Sequence, residues 1–272
     1  MAENDAVIGG REPRRHGVAT VDEGQGLMAT RSKAVTLDDV GIEPVSKRRT
    51  VQDVVYQRLA QALMEGRFDP GQTLTIASLS KLFRTSHMPV REALRQLVAE
   101  NALEIASTGS AFVPPVSRGR LDDLCRARVI VEQAATRAAT AEITPRILRT
   151  LENLADEHLE AGQDHNVPVM LAKNRDFHFL VYRTAGSPVL LQLIDTLWLR
   201  FGPYLRMLTN HLEPQLKSGE IEAYSRHHYG LIAALKDGDA EAAGVHIADD
   251  IQSTQSLLQP LCPAEPAAGD GG

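Results

Sequence analysis

The sequence contains few cysteines and few aromatic residues. Of its 272 residues, two are cysteines and 4% are aromatic. Cys125 and Cys262 are far apart and belong to no CxxC pair, which argues against a disulfide framework and against a cysteine zinc knuckle. Because Ala, Leu, Glu and Arg are plentiful while aromatics are scarce, the composition favours helices over an all-β sandwich.

Long hydrophobic segments are also missing. No apolar run approaches the ~18–20 residues of a membrane span, and an apolar share of 43% argues against a mostly disordered chain. Residues 1–5 show no basic segment leading into an apolar one, so we expect no secretion signal and a cytoplasmic location.

Charge is distributed unevenly along the chain. Residues 47–120 hold eleven Lys and Arg against six Asp and Glu, a net charge of +5. The preceding 46 residues carry −3 and residues 121–272 carry −8. A basic module inside an acidic protein indicates that one part of the chain meets a polyanion while the rest does something else.

Punctuation by glycine and proline predicts four segments. Residues 1–46 form a glycine-containing flexible leader, and residues 259–272 form a similar tail. Pro114 and Pro115 separate a basic module, residues 47–115, from a second domain, residues 116–258, because consecutive prolines continue neither helix nor sheet.

The basic module has the pattern of three helices followed by a hairpin. Apolar residues at helical spacing begin at Val51 and continue until Gly66 ends the series. A second short helix passes through residues 76–82. Ser86 is placed to cap a third helix, whose buried stripe is predicted to be Val90, Ala93, Leu94 and Leu97. Two short β-like pieces, residues 103–106 and 111–113, complete the outline of a winged helix-turn-helix.

The second domain shows helical periodicity throughout and no alternating strand pattern. It is predicted to be an all-helical bundle of about six helices. The predicted helices cover roughly residues 119–141, 145–163, 168–184, 188–211, 219–236 and 239–258.

Several motifs resemble those of a known family. Met88-Pro89-Val90-Arg91-Glu92-Ala93-Leu94-Arg95-Gln96-Leu97 resembles the PVREAL signature of GntR-family transcription regulators, and residues 66–74 resemble the family's G-x-[LF]-x-P-G-x-x-L turn. In the second domain, residues 128–132, 174–178 and 228–239 resemble motifs of the FCD ligand-binding domain of the FadR subfamily.

This resemblance implies a mainly α fold, with an N-terminal winged helix-turn-helix and a C-terminal FCD-type bundle. It also implies a repressor that is not an enzyme. We therefore expect a homodimer that binds a double-stranded DNA operator and responds to a small carboxylate effector.

The residues expected to contact DNA lie on the third helix and the wing. Where the family usually has Ser-Arg-Thr before Pro-Val, this chain has Ser86, His87 and Met88. Arg91 and Arg95 lie four residues apart, so they project from the same side of the helix and can reach a guanine edge or a phosphate. Gly109 at the wing tip permits a close backbone approach, although an ordinary hairpin turn explains it equally well.

A second set of residues is expected to bind a divalent metal. By the resemblance, the ligands are Asn174, His178, His228 and Asp250, with His246 as an alternate one helical turn earlier. Imidazole together with carboxylate suits Zn²⁺, Ni²⁺ or Mn²⁺.

A metal-free polar pocket built from the same residues is the alternative to this metal site. Arg128 has two interpretations: it holds a carboxylate effector bidentately, or it pairs with Glu132 four residues on.

Two further functions compete with an effector-controlled regulator. The first is a metal hydrolase that uses His178, His228 and Asp250, but the chain lacks HExxH and any nucleophile elbow. The second is a regulator whose bundle serves only as a dimerisation scaffold.

Overall fold

The computed structural model describes residues 50–216 and 222–263. The predicted leader, residues 1–46, lies outside this described part. The predicted mainly helical fold class is confirmed, because the described chain consists of α-helices with one small sheet.

The N-terminal module contains three helices and three two-residue strands. In chain order these are α1 Val51–Met64, β1 Thr73–Leu74, α2 Ile76–Phe83, α3 His87–Ala99, β2 Glu104–Ile105 and β3 Ala111–Phe112. The sheet is antiparallel with the order β1-β3-β2, so the predicted hairpin forms and a strand that was not predicted pairs with its outer edge.

Local side-chain chemistry sets the helix boundaries. Thr50 and Asp53 form a capping box at the start of α1. After its end, Gly66 adopts a φ of +63°, a left-handed conformation that does not continue the helix. The predicted stripe of α3 is buried and packs against α1, through residues such as Leu59 and Leu63.

The second domain is the predicted bundle. Its helices are α4 Arg118–Thr140, α5 Pro145–Gln163, α6 Val167–Thr184, α7 Pro188–Leu216, α8 Glu222–Asp237 and α9 Ala240–Leu258. Helix α4 packs on α9, α5 on α6, and α8 on both α5 and α9. No helix among the described residues combines the length and apolar character needed to cross a membrane.

The prediction of a flexible tail from residue 259 is wrong for its first residues. Gln259–Leu261 form a 3-10 helix, and Cys262 is buried against the bundle core. The reason is that Gln259 donates a hydrogen bond of 2.7 Å to Asp122 of α4, which holds the chain on the bundle. Residues 264–272 lie outside the described part.

Helix α7 of the bundle also packs against the N-terminal module. Its Leu199 is buried in the core of the N-terminal module rather than in that of the bundle. Two ion pairs flank this contact: Arg206 of α7 with Asp69 (2.7 Å), and Arg175 of α6 with Glu65 (2.9 Å). The module therefore sits against the bundle through apolar packing with charged pairs at its edge.

Candidate functional site

The predicted DNA-contacting residues at the start of α3 are on the surface. Ser86, His87 and Met88 are all exposed, Met88 to 63%. Ser86 occupies the N-cap position, but its side chain does not accept the expected capping hydrogen bond. The physical reason is that the third helical residue is Pro89, which has no backbone N–H to donate.

The structure brings three predicted residues together in one groove between α3 and the β2–β3 wing. Arg91, Arg95 and Gly109 all line it, and Gly109 has a φ of +82° with nothing within 4 Å of the position that a Cβ would take. Arg95 is paired with Glu92 at 3.0 Å, whereas Arg91 makes no ion pair with the residues that the structure describes. Arg91 therefore presents the less compensated charge to this groove.

The bundle gathers the four principal residues of the predicted metal site. His228 Nε2 lies 3.0 Å from Asn174 Oδ1 and 3.4 Å from His178 Nε2, and His178 Nε2 lies 3.2 Å from Asp250 Oδ2. Both histidines are buried. We call these four residues the histidine cluster. It joins α6, α8 and α9 at one point.

The spacing within the histidine cluster fits a divalent metal. Donors about 2.1 Å from an ion stand about 3.0 Å apart on an octahedron and about 3.4 Å apart on a tetrahedron. Observed spacings of 3.0 Å (His228 to Asn174), 3.2 Å (His178 to Asp250) and 3.4 Å (His228 to His178) fall within those limits.

The pKa shifts of two residues in the histidine cluster, His228 and Asp250, also suit a metal. Burial holds the pKa of His228 well below its ordinary value, and the neighbouring His178 lowers it further. Burial by itself raises the pKa of Asp250, but the hydrogen bond and charge of His178 outweigh this effect and hold that pKa below its usual range. Neutral imidazole and ionised carboxylate are the forms that ligate metals.

His246, the alternate ligand, does not join the histidine cluster. Its ring packs over Gly230, where an added Cβ would lie 2.4 Å from the ring carbon Cε1. Among the described residues, the His, Cys, Asp and Glu side chains that could hold a metal together are His178, His228 and Asp250, without His246. The helical turn that separates His246 from Asp250 displaces its ring along α9, so the structure does not bring this alternate ligand to the histidine cluster.

Arg128 shows the predicted pairing with Glu132 and also borders a cavity. Its Nε and Nη2 donate to the two Glu132 oxygens at 2.7 and 3.3 Å, and its guanidinium lies over the rings of Trp198 (4.6 Å) and Phe201 (4.5 Å). Glu132 also accepts a hydrogen bond from Tyr182, whose hydroxyl is 3.4 Å from His178 Nδ1. A buried polar chain thus links Arg128 to the histidine cluster.

A cavity of about 360 Å³ opens beside the histidine cluster. Arg128, Asn174 and Asp250 contribute to its wall. His158 of α5 does as well: its Nδ1 is 3.0 Å from the Ser225 hydroxyl, and burial lowers its pKa to about 4, so the ring is neutral. Sequence reasoning missed His158, because a lone histidine on α5 carries no motif that distinguishes it from a surface residue.

The apolar part of the cavity wall was also missed. Leu205, Leu208 and Leu212 of α7 line it together with residues of α6 and α9. Their helical spacing in the sequence is the same as that of ordinary core leucines, so periodicity gave no sign that they face a cavity.

Comparison with known families matches both domains. The family model described as "Bacterial regulatory proteins, gntR family" matches residues 51–113, and the FCD domain model matches residues 123–253. Together they cover the helices that carry the groove and the histidine cluster.

Individual relatives extend the match over most of the chain. The HTH-type transcriptional regulator McbR of Escherichia coli strain K12 is 31% identical over 204 residues, which cover 75% of this chain and 90% of the relative. The HTH-type transcriptional repressor RspR of the same organism is 24% identical over 213 residues, 77% of this chain and 91% of the relative.

Solved structures share the architecture. A structure of E. coli McbR/YncC has a TM-score of 0.74 at 29% identity and covers 79% of this chain and 99% of its own. A GntR-type regulator from Rhodococcus sp. RHA1, at 18% identity, has a TM-score of 0.61 over 78% of this chain and 99% of its own, which shows the fold.

Proposed function

We propose that this chain, which belongs to the gntR family of bacterial transcriptional regulators with an FCD domain, is a dimeric repressor that a small carboxylate controls. The family assignment confirms the resemblance predicted from residues 66–97 and from the bundle motifs. The chain is a DNA-binding regulator and, at the level of its family, not an enzyme, so the hydrolase interpretation is wrong.

The groove between α3 and the wing carries the DNA-binding part of the proposal. An arginine in a major groove can fork onto guanine O6 and N7, and a glycine in the wing lets the backbone approach a phosphate. Arg91, Arg95 and Gly109 share this groove, and the exposed Ser86 and His87 stand at the start of the same helix.

The histidine cluster and its cavity support control by an effector. A carboxylate that enters the cavity meets the cluster directly, where a Zn²⁺, Ni²⁺ or Mn²⁺ ion held by His178, His228 and Asp250 would offer it a positive charge. Glu132 accepts hydrogen bonds from one edge of the Arg128 guanidinium and so positions it. Arg128 also lines the cavity. A bundle that served only as a dimerisation scaffold would need neither feature.

Dimerisation follows from the size of the DNA-binding module. One winged helix covers only a half-site, and two-fold symmetry doubles the contacts to a pseudo-palindromic operator. The acidic bundle supplies the contact between copies in this proposal, which leaves both basic modules available to bind DNA. A DNA-binding regulator acts on the chromosome, so the proposed function agrees with the predicted cytoplasmic location.

Arg91→Ala is expected to weaken binding to the cognate operator by about 1–3 kcal/mol, or roughly 5- to 150-fold, because it removes a base or phosphate contact. The operator is first selected from a random DNA pool with the full-length protein, and affinity is then measured by fluorescence anisotropy. Raising the salt concentration should weaken binding of the wild-type protein steeply, since each neutralised phosphate releases counterions.

Arg149→Ala is the matched control for this measurement, because Arg149 is an exposed arginine on α5 of the bundle. Its operator affinity should equal that of the wild type. An Arg91→Ala affinity indistinguishable from that of the control would remove Arg91 from the interface.

Light scattering should give the mass of a dimer for the protein alone and for its complex with the full operator. The reason is that a single module offers too few contacts for specific binding at physiological salt. Monomers in both samples would contradict the proposed assembly.

A further inference from the structure

The cavity beside the histidine cluster differs in character between its rim and its interior. Three of the polar residues that line it, Arg226, Ser253 and Ser256, are exposed and belong to the rim. His227 and Ser253 also contact each other, with 3.2 Å between His227 Nε2 and the Ser253 hydroxyl. Apart from the histidine cluster, Arg128 and His158, the buried lining residues are apolar. His158 lies beside the cluster, with 4.8 Å between its ring centroid and that of His228.

The apolar interior forms a stripe along α7. Five residues of this helix line the cavity at intervals of three or four positions: Trp198, Phe201, Leu205, Leu208 and Leu212. Such spacing places them on one face of the helix. At a rise of about 1.5 Å per residue, the stripe from Phe201 to Leu212 is about 16 Å long. All five side chains are buried.

The polar end of the cavity lies at the beginning of this stripe. The guanidinium of Arg128 stands over Trp198 and Phe201, and the ring centroids of Trp198 and His178 are 5.9 Å apart. Both the cation and the histidine cluster are therefore next to the aromatic residues, and the three leucines extend along α7 away from them.

On the basis of the function proposed above, we infer that the effector is an amphipathic monocarboxylate with an unbranched hydrocarbon chain of several carbons. Its carboxylate lies at the histidine cluster, and its chain lies along Leu205, Leu208 and Leu212. Methylenes placed there leave water, which favours binding. A second carboxylate among these leucines would lose its hydration without gaining a partner, which disfavours short di- and tricarboxylates.

Calorimetric titration of the full-length protein tests this assignment. The ligands are acetate, butanoate, hexanoate and octanoate, with succinate and citrate for comparison, each added to protein incubated with Zn²⁺. A buried methylene is worth about fourfold in affinity, so octanoate should bind at least about 100-fold more tightly than acetate. Octanoate should also bind more tightly than succinate and citrate.

Leu208→Gln should weaken octanoate binding at least about tenfold and leave acetate binding unchanged, because it places an amide among the leucines. Leu193→Gln is the matched control, since Leu193 is 48% exposed on the same helix and does not line the cavity. It should leave the whole series unchanged.

Three results would overturn the inference: affinities that do not rise with chain length, tighter binding of succinate or citrate than of octanoate, or no binding of any acid. The first two leave the proposed carboxylate effector standing, and only the third contradicts that proposal as well. Equal losses for acetate and octanoate in Leu208→Gln would also count against the placement of the chain.

Discussion

His178→Ala and His228→Ala are each expected to abolish the metal content of the purified protein and its stabilisation by added Zn²⁺ or Ni²⁺. Each substitution removes one of two buried imidazoles whose Nε2 atoms are 3.4 Å apart, so the remaining donors form an incomplete set. A metal present at 100 times its Kd stabilises the folded state by about 2.7 kcal/mol, which corresponds to about 5–10 °C in Tm for a chain of this size.

Elemental analysis and thermal scans with and without added metal provide the measurement. His246→Ala is the matched control, because His246 lies on α9 one turn before Asp250 but outside the histidine cluster. This variant should keep the metal and the upward shift in Tm. Without metal, the Tm of this variant can differ from that of the wild type, because the substitution removes the imidazole that packs over Gly230.

Asn174→Asp discriminates further between a metal site and a polar pocket. An amide oxygen is a weaker ligand than a carboxylate, so the substitution should increase the metal-induced rise in Tm. A metal-induced rise in Tm that appears in Asn174→Asp and is absent from the wild type would identify the wild-type cluster as a metal-free polar pocket. A wild-type protein that contains no metal and is stabilised by neither ion would contradict the metal proposal.

The helices could be predicted closely because their signals are local. Most of them begin near a capping residue or proline and carry an apolar stripe, as in α5 from Pro145 to Gln163. Strand β1 was missed for the complementary reason. Thr73–Leu74 is only two residues long, so no alternation can show in the sequence, and its pairing with β3 depends on residues nearly 40 positions away.

The histidine cluster could be anticipated only in part from spacing. Asn174 and His178 are four residues apart on one helix, which predicts a common direction. Their convergence with His228 and Asp250 came from the resemblance, because no local pattern states which helices meet. The distinction between His246 and Asp250 required the structure, since both lie on α9 and only the packing over Gly230 separates their roles.

Helix α7 illustrates a role that no periodicity could reveal. Leu199 packs in the core of the DNA-binding module, whereas Trp198 and Phe201 line the cavity in the bundle. One helix therefore touches the proposed effector on one side and the DNA-binding module on the other. A shift of α7 on effector binding would move both surfaces together, because packed interiors transmit displacement rather than absorb it.

Gly202→Ala is expected to disrupt this connection between the cavity and the DNA-binding module. A Cβ at position 202 would lie 2.2 Å from the carbonyl oxygen and 2.8 Å from the carbonyl carbon of Leu63 in α1. Neither backbone can turn aside as a side chain can, so α1 and α7 must separate. We expect a loss of about 1–3 kcal/mol in the free energy of unfolding, although alanine alone favours a helix by about 1 kcal/mol.

Gly244→Ala is the matched control for this effect, because the three atoms nearest its added Cβ all belong to the Arg137 side chain, with Nε at 2.9 Å. That side chain is partly exposed and can move, so the control should be as stable as the wild type or more stable. Chemical denaturation of both variants measures the difference in the free energy of unfolding. Operator affinity at low temperature reports whether the DNA-binding module still packs on α7. Equal stability of Gly202→Ala and Gly244→Ala would mean that α1 and α7 separate at little cost. A contact that separates so easily could not couple the cavity to the DNA-binding module.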